Sequence, residues 1–169
     1  MFGGSNVSDN IDFVEEKEKI ALGILGAFLL SLIGSLLWVG CYWIDIFPPL
    51  CGFATMVFAL IGYRLFAKSG SVKSVVFSLL FAIVAVFIGA YFCLAVDVYD
   101  AYASWFEAGT VDHAITFWQA ISGAYQFLAD PSVFSFFIKQ LGFGALFSIL
   151  GSVLFFIDSI RIYNAQKEY

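Results

Sequence analysis

The sequence predicts an all-α polytopic membrane protein, with four transmembrane helices and an amphipathic helix at the outer interface. Two observations carry this. Apolar residues make up 62% of the 169 and charged residues only 12%, against about 45–50% and about 25% in soluble domains. A soluble domain of this length buries only about two-thirds of the surface its unfolded chain exposes, too little to hide so apolar a composition. The apolar residues also gather into four runs of roughly the length a bilayer requires, about 20 residues each.

Residues 1–19 precede the first run. They are polar and acidic, with Asp9, Asp12, Glu15, Glu16 and Glu18 against Lys17 and Lys19. A secretory signal opens with a positive region and a short apolar core, so no cleavable signal is expected. Phe2 stands where myristoylation needs glycine. Ser8 or Asp9 is a candidate cap for a short helix leading into the membrane.

The spans are predicted at 20–44, 49–67, 73–96 and 138–160. Pro48-Pro49, Ser69-Gly70-Ser71 and Pro131 punctuate the connections. The four spans and the connections between them form one transmembrane domain over 20–160, with a short tail at 161–169. Basic residues set the orientation. With the N-terminus cytoplasmic, every Lys and Arg lies inside except Lys139. Both termini are then cytoplasmic in a plasma membrane. Trp38, Trp43, Trp105 and Trp118 fall at or beyond the outer ends of spans, where an interfacial belt places them.

The outer segment 97–137 is too long for a structureless loop, and its pattern is helical. Val98, Ala101, Tyr102, Trp105 and Phe106 share one face, so the third span is expected to continue beyond the membrane. Gly109 is its expected end, and Thr110 caps the next helix. In that helix, at about 111–128, Val111, Ile115, Trp118, Ile121, Tyr125 and Leu128 recur at steps of three and four. Such an amphipathic helix should lie flat at the interface.

Small residues in rows are the most specific feature. Gly23, Ala27, Ser31 and Ser35 recur every fourth residue in the first span, and Gly144, Ser148 and Ser152 in the fourth. Ala85, Gly89 and Cys93 follow suit in the third. In lipid, helices adhere through close backbone approach, which small-xxx-small rows permit. The first and fourth spans are expected to pack against each other through their rows. LLSLIGSLLW at 29–38 and LFSILGSVLF at 146–155 also resemble one another. An inverted repeat of that kind is a transporter signature, though shared packing chemistry explains ten similar apolar residues as well.

Polar candidates are few. Asp97, Asp100, Glu107 and Asp112 form a candidate outer acidic face with His113 nearby; the simpler reading is a solvated helix face. Arg64, Lys139 and Asp158 sit near span ends, where long side chains snorkel. Asp158 and Arg161 are spaced to pair along a helix. Cys41 and Cys51 flank the first outer turn, as a bridge or as buried thiols. The Asn6-Val7-Ser8 sequon lies on the inner side and is silent. There is one His, and no HExxH, GxSxG, CxxC or phosphate loop. The expectation is therefore a protein without catalytic residues, metal or cofactor. The net charge of −5 gives no reason for nucleic-acid binding.

Gly23-Ile24-Leu25-Gly26-Ala27, Gly34, Leu37-Trp38, Gly52 and Gly62-Tyr63 resemble the pattern of an uncharacterised family of small four-span integral membrane proteins of bacteria, mainly Gram-positive ones. The resemblance covers about 20–160. It implies the four-span layout, the long outer helical segment and a bacterial plasma membrane, and it brings no activity. Composition and rows together lead to a non-enzymatic membrane protein acting by helix–helix assembly. Its expected partners are the lipid bilayer and either itself or other membrane proteins. The alternative is a small channel or transporter.

Overall fold

The computed structural model describes residues 19–44, 50–68 and 72–167, with side chains placed up to residue 157. The expectations for residues 1–18, the turns at 45–49 and 69–71, and the Asp158–Arg161 pair lie outside those residues or side chains. The described chain is all-α, with five helices: α1 (Ile20–Trp43), α2 (Cys51–Ala67), α3 (Val72–Glu107), α4 (Phe117–Phe127) and α5 (Pro131–Lys167). Three are long and apolar enough to cross a membrane: α1, α3 and Ile157-terminated Pro131–Ile157 within α5. The shorter α2 is equally uncharged apart from Arg64 near its end.

Local chemistry sets the helix ends. α2 stops at Lys68, which adopts a left-handed conformation (φ 53°) while its N–H donates to the Arg64 carbonyl at 3.0 Å. α3 runs on past the apolar run to Glu107, as its periodicity predicts. Gly109 ends it at φ +69°. The Thr110 N–H donates to Trp105 and the Gly109 N–H to Phe106, which together satisfy two otherwise orphaned carbonyls. α5 opens with Pro131 in the first helical position, where its missing N–H costs nothing. Asp130 caps it, accepting from the Ser132 N–H at 2.8 Å and the Ser132 hydroxyl at 2.5 Å. This last helix thus begins at Pro131, earlier than the expected 138, because cap and proline together nucleate it before the apolar run.

The amphipathic helix needs correction. It begins at Phe117, not near Val111, and its cap is Thr116, not Thr110. Thr116 and Gln119 form a reciprocal capping box, which satisfies two backbone donors at once. Thr110 is held instead in the end of α3. Ala120 and Ala124 are the buried residues of α4, whereas Trp118 and Tyr125 are 77% and 59% exposed. The two alanines let α4 approach α3 closely, and the large rings turn outward.

α2 lies in contact with α1, α3 and α5, and α3 with all four other helices. Met56 and Leu60 of α2 are buried with Val75 and Ala82 of α3. At the other end of the molecule Ala90, Leu94, Ala95 and Val98 of α3 are buried with Ala120 and Ala124 of α4 and with Phe137 of α5. Tyr91 of α3 ties α4 down, its hydroxyl donating to the Ile121 carbonyl at 2.7 Å. Large apolar side chains elsewhere on α1, α3 and α5 point outward, including Leu36, Phe87 and Leu154.

Candidate functional site

All seven small residues singled out in the first and last spans are buried: Gly23, Ala27, Ser31, Ser35, Gly144, Ser148 and Ser152. They do not face each other as expected. α1 and α5 share no extensive contact, because α2 stands between them and supplies small residues to both. On the α1 side, Gly23 lies against Tyr63 and Ala67, Gly26 against Gly62, and Gly34 against Thr55. On the α5 side, Gly144 lies against Gly52, and the Ser148 hydroxyl donates to the Gly52 carbonyl at 3.0 Å and to its own Gly144 carbonyl at 2.9 Å. Ser35 turns to α3, donating to the Ala85 carbonyl at 2.7 Å. Ser31 and Ser152 donate to carbonyls of their own helices, Phe28 and Ile149.

Trp38 does reach across from α1 to α5. It is fully buried, with its ring against Gly144 and its Cβ against Gly89 of α3. The two glycines hold the space for the indole. Its Nε1–H has no acceptor among the described residues.

Beside Trp38 the three cysteines converge from three helices: Cys41 from α1, Cys51 from α2 and Cys93 from α3. All are free thiols. Cys51 and Cys93 are buried, and Cys41 is partly exposed.

The acidic residues expected to share one face do not form one site. Asp97 accepts from the Tyr42 hydroxyl at 2.5 Å, joining α3 to the end of α1. Asp100 borders a different groove. Glu107 ends α3, and Asp112 lies in the turn beyond it. No cluster of His, Cys, Asp and Glu suited to a metal ion occurs among the described residues. Arg64 stays near the end of α2, with its guanidinium 6.0 Å from the Phe155 ring centroid.

Three hollows accompany these groups. An apolar groove of about 780 Å³ opens between α1 and α3, bordered by Leu36, Val39, Trp43, Phe92, Tyr99 and Asp100. A hollow of about 430 Å³ lies between α3 and the start of α5, bordered by Asp97, Trp105, Phe127 and Phe136. A cavity of about 10 Å³ separates Asp97 from Gln140, room for about one water molecule. Gln140 is only 8% exposed. It escaped sequence reading because it sits outside every small-residue row. Gly52 and Gly62 of α2 entered the sequence reading only through the resemblance and not as a packing face, because they are too far apart to read as a row.

The chain matches no family model, no curated protein and no solved structure.

Proposed function

We propose that this protein is a non-enzymatic integral membrane protein that acts by assembly, as a homo-oligomer or as a subunit of a membrane complex. The observation that carries this reading is the use of the interior hydroxyls. Ser31, Ser35, Thr55, Ser148 and Ser152 each donate to a backbone carbonyl inside the bundle. A permeation path needs polar groups free to replace an ion's water; these five are already engaged, Ser35 and Ser148 with a neighbouring helix and Ser31, Thr55 and Ser152 with their own, whereas the buried Ser78 hydroxyl has no acceptor among the described residues. The bundle reads as a scaffold that offers apolar faces to its surroundings. Mild detergent extraction followed by mass measurement of the intact particle tests it. A multiple of 18.6 kDa, or a stoichiometric partner, supports assembly; a monomer overturns it.

The layout proposed with this function has four spans and cytoplasmic termini, in a bacterial plasma membrane. α2 supplies the fourth span. Its 17 residues cover about 25 Å at 1.5 Å per residue, close to the ~30 Å hydrocarbon core. Its packing along α1 from Gly23 to Gly34 supports a course beside that span. The basic-residue asymmetry supports the orientation, and the resemblance to small bacterial membrane proteins supports the compartment.

A second reading, a small channel or transporter, draws on the cavity between Asp97 and Gln140. Reconstituted vesicles test it. Cation flux that disappears in Gln140→Leu favours conduction, and absence of flux removes this reading.

A further inference from the structure

We propose that Cys41 and Cys51 form a reversible dithiol–disulfide pair that accepts oxidation from a small soluble disulfide and staples the end of α1 to the start of α2. Cys41 lies in the last turn of α1 and Cys51 is the first residue of α2. Both stand beside the turn that joins these helices. Their side chains lie within interaction range of each other, in a cluster closed by Trp38, Val86 and Cys93. A bridge here would join two helices that already pack together along their length.

The burial pattern assigns the two roles. Cys41 is partly exposed and near a helix end next to Trp43, itself 76% exposed. Of the three thiols it is the least enclosed by protein, and so the first that an oxidant arriving at this helix end meets. Cys51 is 6% exposed, shielded from solution but adjacent to Cys41. The order of reaction follows. The Cys41 thiolate attacks one sulfur of a small disulfide such as oxidised glutathione. That S–S bond breaks, and the first glutathione thiol departs with a proton. The Cys51 thiolate then attacks the Cys41 sulfur of the mixed disulfide, and the second glutathione thiol departs with a proton. Two cysteine thiols lose two electrons and two protons, and one glutathione disulfide becomes two thiols. Cys93 is 1% exposed and belongs to the wall of the cluster. It stays reduced.

The chemistry does not depend on which face of the membrane carries this end. On the outer face proposed above, the bridged form is the resident one.

The test uses the full chain in lipid nanodiscs, equilibrated with oxidised glutathione, unfolded in SDS, and then tagged with a polyethylene-glycol maleimide. The expected result is a loss of two of the three tags, restored by dithiothreitol, with a Cys41–Cys51 linked peptide by mass spectrometry. Cys93→Ser should still lose two tags. Cys41→Ser should keep both remaining tags and form no mixed disulfide. Three tags in the oxidised wild type, or a linked peptide containing Cys93, overturns the assignment. The starting chain's elution as a single folded species, before and after oxidation, ensures that tagging reports on the folded protein.

Discussion

Gly26 and Gly62 meet back to back, each with its carbonyl oxygen in the space where a Cβ on the other would sit. α1 and α2 therefore touch backbone to backbone. Dispersion contacts of that kind hold helices together where lipid supplies no hydrophobic drive.

Gly62→Ala should separate this seam. The added methyl meets the Gly26 backbone, which cannot rotate aside as a side chain could. Overpacking of this sort costs about 1–3 kcal/mol. Gly40→Ala and Gly142→Ala meet nothing within 4 Å and should be neutral. Midpoints of SDS-induced unfolding compare the three. Equal midpoints would remove the close seam.

Ser148 should show a graded response. Ser148→Ala loses the bond to Gly52, a loss of about 0.6–2 kcal/mol for an interhelical hydrogen bond in a membrane. Ser148→Leu adds bulk to a fully buried site and should cost about 1–3 kcal/mol more. Ser152→Ala should cost less than Ser148→Ala, because the Ser152 hydroxyl bonds within its own helix. If Ser152→Ala proves the costlier in the same unfolding titration, the α2–α5 contact is misassigned.

Orientation is read by labelling from outside intact cells, in a variant whose three native cysteines are serine. A cysteine at Ser104, exposed near the end of α3, should react with an impermeant maleimide. One at Ser5 should react only after permeabilisation. The reverse pattern inverts the proposed topology.

Asp130 should titrate below the ordinary carboxylate range of about 3.9. The Ser132 hydroxyl, then the Ser132 and Val133 backbone N–H groups, favour its ionised form. A lowered native pKa means that the cap's stabilisation is complete above the unfolded-state value and is lost as pH falls through the native one. The carbon-13 shift of the Asp130 carboxyl should report the low midpoint. Asp130→Asn should abolish that titration and still cap α5. A midpoint at or above 3.9 contradicts the cap.

Much of the bundle was legible in the sequence because lipid demands so much of it. The run of α3 to Glu107 and its stop at Gly109 followed from periodicity and a single glycine. The small rows correctly marked which faces of α1 and α5 are buried. They did not reveal their partner, because a row encodes how closely a neighbour can come and not which neighbour comes. Gly52 and Gly62 answer those rows from α2 at isolated positions, without a repeat of their own. The start of α4 was written in the sequence as Thr116-x-x-Gln119, a reciprocal cap, and Thr110 drew attention only because it follows Gly109. The part of Ala120 and Ala124 was hidden, since the repeat of large apolar residues drew the eye and two alanines beside it mark a close approach only once α3 is known to lie there.

The place of α2 against both α1 and α5 has a consequence for the order in which the molecule is made. Domains and helix pairs mature from the N-terminus during synthesis. The seam of α1 and α2 joins neighbours in sequence, so the hairpin can close while the rest of the chain is still on the ribosome. The opposite flank of α2 must then wait in the bilayer with Gly52 uncovered, until Ser148 arrives from 96 residues downstream. A nascent chain halted before α5 thus carries a vacant helix-docking face. That is the stage at which an insertion chaperone, or a stray helix from another protein, has its one opening to bind.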